Sequence, residues 1–251
     1  MIVWREKFKA TGLHFLVTLA LAACAAALIF LVWFPDPLQT MIGGTELFIL
    51  VTGCDVALGP LSSLVVYNSK KTRRELVFDY VVIGIFQLAA LCYGVYILGG
   101  TRPVYIAFST DRLEVVVARD VRETELAAAK DPRYRKLPLN GPMFVGVKVP
   151  KSDRSNALTQ SLAGNEEHMR PRFFVPYADV LPEIRSQAKP VAELEKSHPA
   201  SKPLLEAAIA GLEVPAANVA WLPVHHFRGF WTALIDTRSG KPLTYVDLDP
   251  Y

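Results

Sequence analysis

Few residues in this chain stand where their type and spacing could do chemistry, and the costliest of them is Asp55. It lies in "VTGCDVALGPLSSLVVY", residues 51–67, a stretch otherwise apolar enough for a bilayer. A carboxyl group at the centre of a membrane span costs about 2.5–3.5 kcal/mol on insertion scales, so it requires a partner or a role. Intramembrane aspartyl chemistry needs two carboxyls sharing one water. The other candidate is Asp79, but at 1.5 Å rise per residue its depth differs from that of Asp55 by on the order of 15 Å. No dyad is expected. A proton relay requires polar groups through the membrane, and the neighbouring spans offer His14, Thr18 and Gln87. Two compatible readings of Asp55 stand. Either it is protonated and hydrogen-bonds Gln87 or a main-chain carbonyl within a bundle, or it faces a partner helix. Gly53, Ala57, Gly59 and Ser62 lie near helical spacing and favour close approach of another backbone. Pro60 leaves the Val56 carbonyl without its helical donor, a further polar handle nearby.

Elsewhere the search for reactive groups returns little. There is no G-x-S-x-G elbow, no H-E-x-x-H and no glycine-rich phosphate loop. His225 and His226 are adjacent on an expected strand, so they point to opposite faces and do not jointly hold a metal; one is expected in the core and the other in solvent. Glu166–Glu167 and Glu193/Glu195 read as solvated surface. Neither a cofactor nor a metal is expected.

Three apolar runs hold the elements that position Asp55: residues 12–34, 45–67 and 77–98. Each is long enough for a hydrocarbon core that takes roughly 20 helical residues. Arg5, Lys7 and Lys9 precede the first run, and "NSKKTRREL" between the second and third carries Lys70, Lys71, Arg73 and Arg74. The connection "PDPLQTMIGG" between the first two has no Lys or Arg. The positive-inside rule then puts the N-terminus and the "KKTRR" loop in the cytoplasm and residues 100–251 outside, in the periplasm of a bacterial inner-membrane protein. "LAAC", residues 21–24, fits a lipoprotein box ending at Cys24. The chain stays apolar for ten residues beyond it, so an uncleaved anchor is the expected outcome. Cys24, Cys54 and Cys92 all fall in spans, leaving the exported part without a disulfide.

The expected organisation is a transmembrane region over residues 1–99 and an exported α+β domain over 100–251. The domain's net charge of about +2 is too mild and too mixed to imply nucleic acid. Strands are expected at 104–108 and 113–118, joined by the turn "STDR", and at 143–149. Helices are expected at 122–130, from an N-cap at Ser152 to Gly164, and at 202–210. Prolines cut residues 170–196 into short helical turns. A three-stranded meander closes the domain at 219–226, 230–236 and 242–248, with Gly240 in the last turn. The sheet should be mostly antiparallel.

The spans, with "GCDVALGPLSSLVVYNSKK" in the second, are followed by "LAALCYGVYILGGTRPVYIAFSTDRLEVVVARDV" and by "RFFVPYAD" in the exported domain. Together these resemble the type IV pilin accessory proteins of the TfpX/TfpZ group. The resemblance runs over the whole chain and is densest at residues 44–121. It implies a chaperone-like inner-membrane helper that binds its cognate major pilin and promotes pilus assembly, with no catalytic residues to carry over. On that expectation spans two and three hold the pilin's apolar stalk, with Asp55, Gly59 and Pro60 at the contact. The segments containing Tyr105 and Phe108, and Phe173, Phe174 and Tyr177, would touch the pilin head. The competing reading for these aromatics is core packing, the usual fate of such rings.

Two other classes make different demands on the sequence. An envelope enzyme modifying pilin or glycan requires convergent polar groups in the exported domain, which no spacing suggests. A membrane scaffold or sensor requires a cytoplasmic output domain, and the inner segments are short. A pilin helper requires only a membrane face and an external surface.

Overall fold

The computed structural model describes residues 4–68 and 71–251. Lys70 of the basic loop lies outside them, as do the side chains of Arg5 and Lys7. The chain divides into two compact units, one ending at Arg102 and the other running from Pro103 to Tyr251.

The first unit is helical. Helix α1, Trp4–Leu28, continues as a π-helical turn, Ile29–Trp33; a short α2, Leu38–Met41, leads into α3, Gly44–Val66, and α4 covers Arg73–Thr101. Among the described residues three helical segments are long and apolar enough to cross a membrane: Thr11–Trp33, Gly44–Val66 and Arg73–Thr101. Large apolar side chains on them, Leu31, Val65 and Phe86 among them, stand mostly exposed. That is costly in water and favourable in lipid, where α-helices satisfy their own backbone groups. Helix α4 begins on a capping box that "TRRE" spells out: Thr72 N–H donates to Glu75 Oε2 at 2.7 Å, and Glu75 N–H donates back to Thr72 Oγ1 at 3.3 Å. It also runs to Thr101, past the expected boundary at residue 99.

The second unit is a mixed, mostly antiparallel eight-stranded sheet with short helices. Its strands are β1 Pro103–Ser109, β2 Arg112–Val117, β3 Met143–Val147, β4 Phe174–Pro176, β5 Lys189–Pro190, β6 Val219–His226, β7 Gly229–Asp236 and β8 Pro242–Val246. Their order is β4-β3-β1-β2-β6-β7-β8, with β5 also paired to β6. The β1–β2 hairpin and the closing meander lie where the β-branched and aromatic runs put them. In the last turn Gly240 takes φ 67°, and the Asp236 carboxylate accepts from the N–H groups of Arg238 and Ser239.

Two pairings are parallel, β1 with β3 and β2 with β6, and they join segments far apart in sequence. The segment at 170–196, expected as helical turns alone, also supplies β4 and β5. β4 pairs antiparallel to β3, with Pro176 tolerated because the strand lies at the edge.

The helices are α5 Glu123–Ala127, α6 Arg154–Leu162, α7 Leu181–Gln187, α8 Val191–Ser197 and α9 Lys202–Ala210. α5 is shorter than the expected 122–130, because Ala129 turns into the core and its N–H bonds the Leu126 carbonyl. Ser152 does not cap a helix: a 3-10 turn, Lys151–Asp153, precedes α6, and Ser152 Oγ bonds the Asp153 carboxylate instead.

Two apolar clusters hold this unit together. One gathers Tyr105, Ala107, Val116, Tyr134, Val145 and Phe174; the other packs Leu194 of α8 and Leu205 of α9 on Trp221, Leu234 and Val246. β1 is buried along its whole length, so both its faces are covered.

Candidate functional site

Several polar residues of the spans converge on one place. His14 of α1 sits with Nδ1 2.5 Å from Ser63 Oγ of α3 and Nε2 2.6 Å from Gln87 Oε1 of α4. Gln87 Nε2 in turn donates to the main-chain carbonyl of Asp55 at 3.2 Å. A carbonyl only accepts, so the Gln87 amide nitrogen faces Asp55 and its oxygen faces His14. His14 Nε2 is then the donor, and in a neutral ring Nδ1 accepts from the Ser63 hydroxyl. One imidazole and one carboxamide thus tie all three long helices together.

Local sequence makes this reach possible. Gly59 is buried, and a Cβ there would overlap the Gln87 carboxamide. Its small size serves an approach inside the bundle, between α3 and α4. Gly94 does the same for Val51. Gly53 and Gly84, by contrast, have open space where a side chain would stand.

Asp55 itself is half-buried, and its carboxyl has no hydrogen-bond or ion-pair partner among the described residues. It borders a half-open cavity of about 90 Å³ whose polar lining is His14, Thr18, Thr52, Asp55 and Gln87, the rest being apolar. Thr18 Oγ1 spends its proton on the His14 carbonyl, whereas the buried Thr52 hydroxyl has no partner. Asp79 is held elsewhere, 2.6 Å from Lys71 Nζ at the start of α4. The two acids do not meet.

In the second unit the aromatic segments pack inward. Tyr105, Phe108, Phe173 and Phe174 are buried, so a partner docking on the folded domain does not reach their rings. The rings pack in the core, as the competing reading has it: Tyr105 and Phe174 stack edge to face at 4.9 Å, and Tyr134 meets Phe174 at 5.7 Å. Burial pushes the Tyr105 phenol up to about 12. Tyr177 is half-buried, its hydroxyl donating to the Gly240 carbonyl at 2.9 Å and its ring against Phe144.

This unit also holds two charged clusters that the sequence conceals. The parallel register of β2 on β6 sets Glu114 beside His225, with Oε2 2.7 Å from Nδ1. Arg112 and the buried His168 lie on the same carboxyl, each at 3.9 Å. Burial raises the Glu114 carboxyl above its usual range, although His225 and Arg112 pull the other way. His226, on the opposite face from His225, is buried; desolvation holds it and His168 down at about 4. In the second cluster Glu125 binds Arg172 at 2.5 Å and lies 3.5 Å from the Nε of Arg170, which is buried over the Phe173 ring. The first cluster links two strands and a 3-10 turn and the second links α5 to a 3-10 turn, the arrangement of structural ion pairs. Among the described residues no group of three His, Cys, Asp or Glu is placed to hold a metal ion.

Comparison with known proteins bears on the chain as a whole. The family described as "Fimbrial assembly protein FimB" matches residues 2–43. A fimbrial assembly protein of serogroup I from Dichelobacter nodosus is 31% identical over 247 residues, covering 97% of this chain and 95% of that protein. The serogroup E1 protein of the same organism is 30% identical over the same shares. The protein of serogroups C1 and C2 is 39% identical over 121 residues, 48% of this chain and 92% of its own. No solved structure matches the chain.

Proposed function

From the premise that this chain belongs to the fimbrial assembly protein family, we propose that it is a non-catalytic membrane accessory protein that binds a type IV pilin and promotes assembly of the fibre. Within that family we assign it to the pilin accessory group that its second span and "RPVYIAF" segment resemble. Similarity along nearly the full length of both chains carries this reading, because it takes in the membrane unit and the external domain together. An assembly helper needs surfaces rather than a reaction centre, and the charged clusters of the external domain lie in structural roles.

The partner's stalk is an apolar helix in the same bilayer, and Asp55 is the polar contact offered to it. Gly59 and Pro60 act indirectly. The glycine lets Gln87 brace the backbone of α3, and the proline leaves the Val56 carbonyl free of its helical donor. Any contact with the pilin head falls on side chains other than the buried rings of Tyr105, Phe108, Phe173 and Phe174; Tyr177 remains partly accessible. The basic residues flanking the first and third spans support a cytoplasmic N-terminus and a periplasmic domain.

The test is recovery of the co-expressed pilin with the tagged full-length protein in mild detergent. Pilin is expected at near-stoichiometric amounts; its absence across several detergents abandons the reading. For sidedness, alkaline phosphatase fused after Tyr251 is expected to be active, and a silent fusion there reverses the topology.

A further inference from the structure

The membrane unit has an unfilled place whose shape and chemistry define what fits it. Helix α3 packs along both of the outer helices, α1 and α4. They are bridged where His14 reaches Gln87. Beside that bridge lies the 90 Å³ cavity, with Thr52 and Asp55 of α3 as its floor, Leu21 on the α1 side and Leu88 on the α4 side. Gly84 on the α4 wall has open space in front of it, which lets a neighbouring backbone come close.

The polar groups of the cavity divide into those already used and those left over. Both nitrogens of His14, both ends of Gln87 and the hydroxyl of Thr18 are bonded within the unit. What remains is the Asp55 carboxyl and the buried, unpartnered Thr52 hydroxyl. In hydrocarbon such groups call for a partner, and lipid tails supply none. A polar head group does not reach them either: Asp55 is midway along α3, about 16 Å from each end at 1.5 Å per residue. The complementary occupant is a helix that is apolar along its walls and carries one hydrogen-bond donor at mid-depth.

We propose that the transmembrane helix of the pilin packs over the mouth of this cavity, the groove between α1 and α4, with a hydrogen-bond-donating side chain near the middle of that helix entering it against Asp55 and Thr52. The identity of the occupant rests on the pilin-binding reading; the groove, its floor and the donor it requires rest on the geometry.

The experiment places a photo-crosslinking residue at Leu88, in the groove, or at Leu50 or Leu61, exposed on α3 outside the cavity, in the full-length protein co-expressed with pilin. A pilin adduct at Leu88 at least five times that at Leu50 or Leu61 is expected. Asp55→Leu should cut the Leu88 adduct about tenfold, while Asp55→Asn, which can still accept a hydrogen bond, should keep most of it. The leucine variant makes the span more apolar, so equal membrane levels separate lost contact from lost insertion. A Leu88 adduct with a second copy of this chain, or with lipid alone, overturns the groove, as does an unchanged adduct in Asp55→Leu. If Leu88 gives no pilin adduct, the groove is wrong; pilin that still co-purifies leaves the wider reading standing, and pilin that does not removes both.

Discussion

Gln87 donates to the main-chain carbonyl of Asp55, 3.2 Å away, and so braces the backbone that carries the acid without touching its carboxyl. Two tasks are thereby separated on adjacent atoms. The carbonyl belongs to the architecture of the three helices, through Gln87 and His14, and the carboxyl has no hydrogen-bond or ion-pair partner among the described residues.

This separation predicts opposite outcomes for neighbouring substitutions. Gln87→Leu breaks the links to both Asp55 and His14 and should destabilise the bundle by about 1–2 kcal/mol, since interhelical hydrogen bonds in membranes are worth roughly 0.6 kcal/mol on average and up to about 1.7. Gly59→Val should do the same by pushing Gln87 aside. Asp55→Leu should leave thermal unfolding in detergent unchanged or raised while lowering pilin recovery. Equal destabilisation by all three would mean that the carboxyl is structural.

Glu125→Ala should be among the most damaging changes in the second unit. It leaves Arg170, 2% exposed, without its nearest carboxylate and releases Arg172 as well. Stranding a buried charge costs about 3–5 kcal/mol. Replacing Glu125 and Arg170 together by Leu and Met should recover part of that loss in thermal unfolding of the full-length protein.

The buried histidines set a direction for the response to acid. His168 and His226 are held at about 4, below the ordinary value near 6.5, so the unfolded chain binds protons before the folded one does. Stability is therefore complete above about pH 6.5 and falls as pH drops towards 4, by about 2–3 kcal/mol for each ring. Glu114 acts with the opposite sign: its raised folded value favours the protonated folded form and offsets part of the loss. Unfolding midpoints measured from pH 7 to 4 should fall, and His226→Asn should flatten the curve. A flat profile for the unsubstituted protein would show that neither ring is buried neutral.

In the last turn, Gly240→Ala should cost about 1–2 kcal/mol. Its φ of 67° disfavours any side chain, and a Cβ there comes to 2.7 Å from Leu181. Asn at the same position relieves the backbone penalty but keeps the clash, so it should recover less than half of the loss in a thermal melt.

Signals carried within one segment were open to reading along the chain. Apolar runs of 20 or so residues mark helices because the bilayer leaves no other way to satisfy the backbone. The hairpin at "STDR", the closing meander and α9 before Gly211 follow from strand formers, turn residues and a helix stop. The Thr72–Glu75 capping box is equally local, its S/T-x-x-E signal standing inside a run of basic residues. That Asp55 needed explaining was also plain from the sequence, since the cost of an acid at mid-span depends on its depth alone.

Tertiary structure decided everything that depends on which segments lie side by side. Glu114 and His225 are far apart in the chain, and the parallel register of β2 on β6 brings them to 2.7 Å. His14, Ser63 and Gln87 could each be named from the sequence as polar groups in or beside a span, but only the rotation of three helices about their axes shows that they bond one another and leave the carboxyl of Asp55 free. The aromatic rings, for which core packing was the usual expectation and a partner surface the alternative, lie in the core, with β1 covered on both faces. The physical reason is common to all three. Propensity and hydropathy are properties of a residue and its near neighbours, whereas burial and hydrogen-bond partners belong to pairs of segments, and a single chain does not state its pairings.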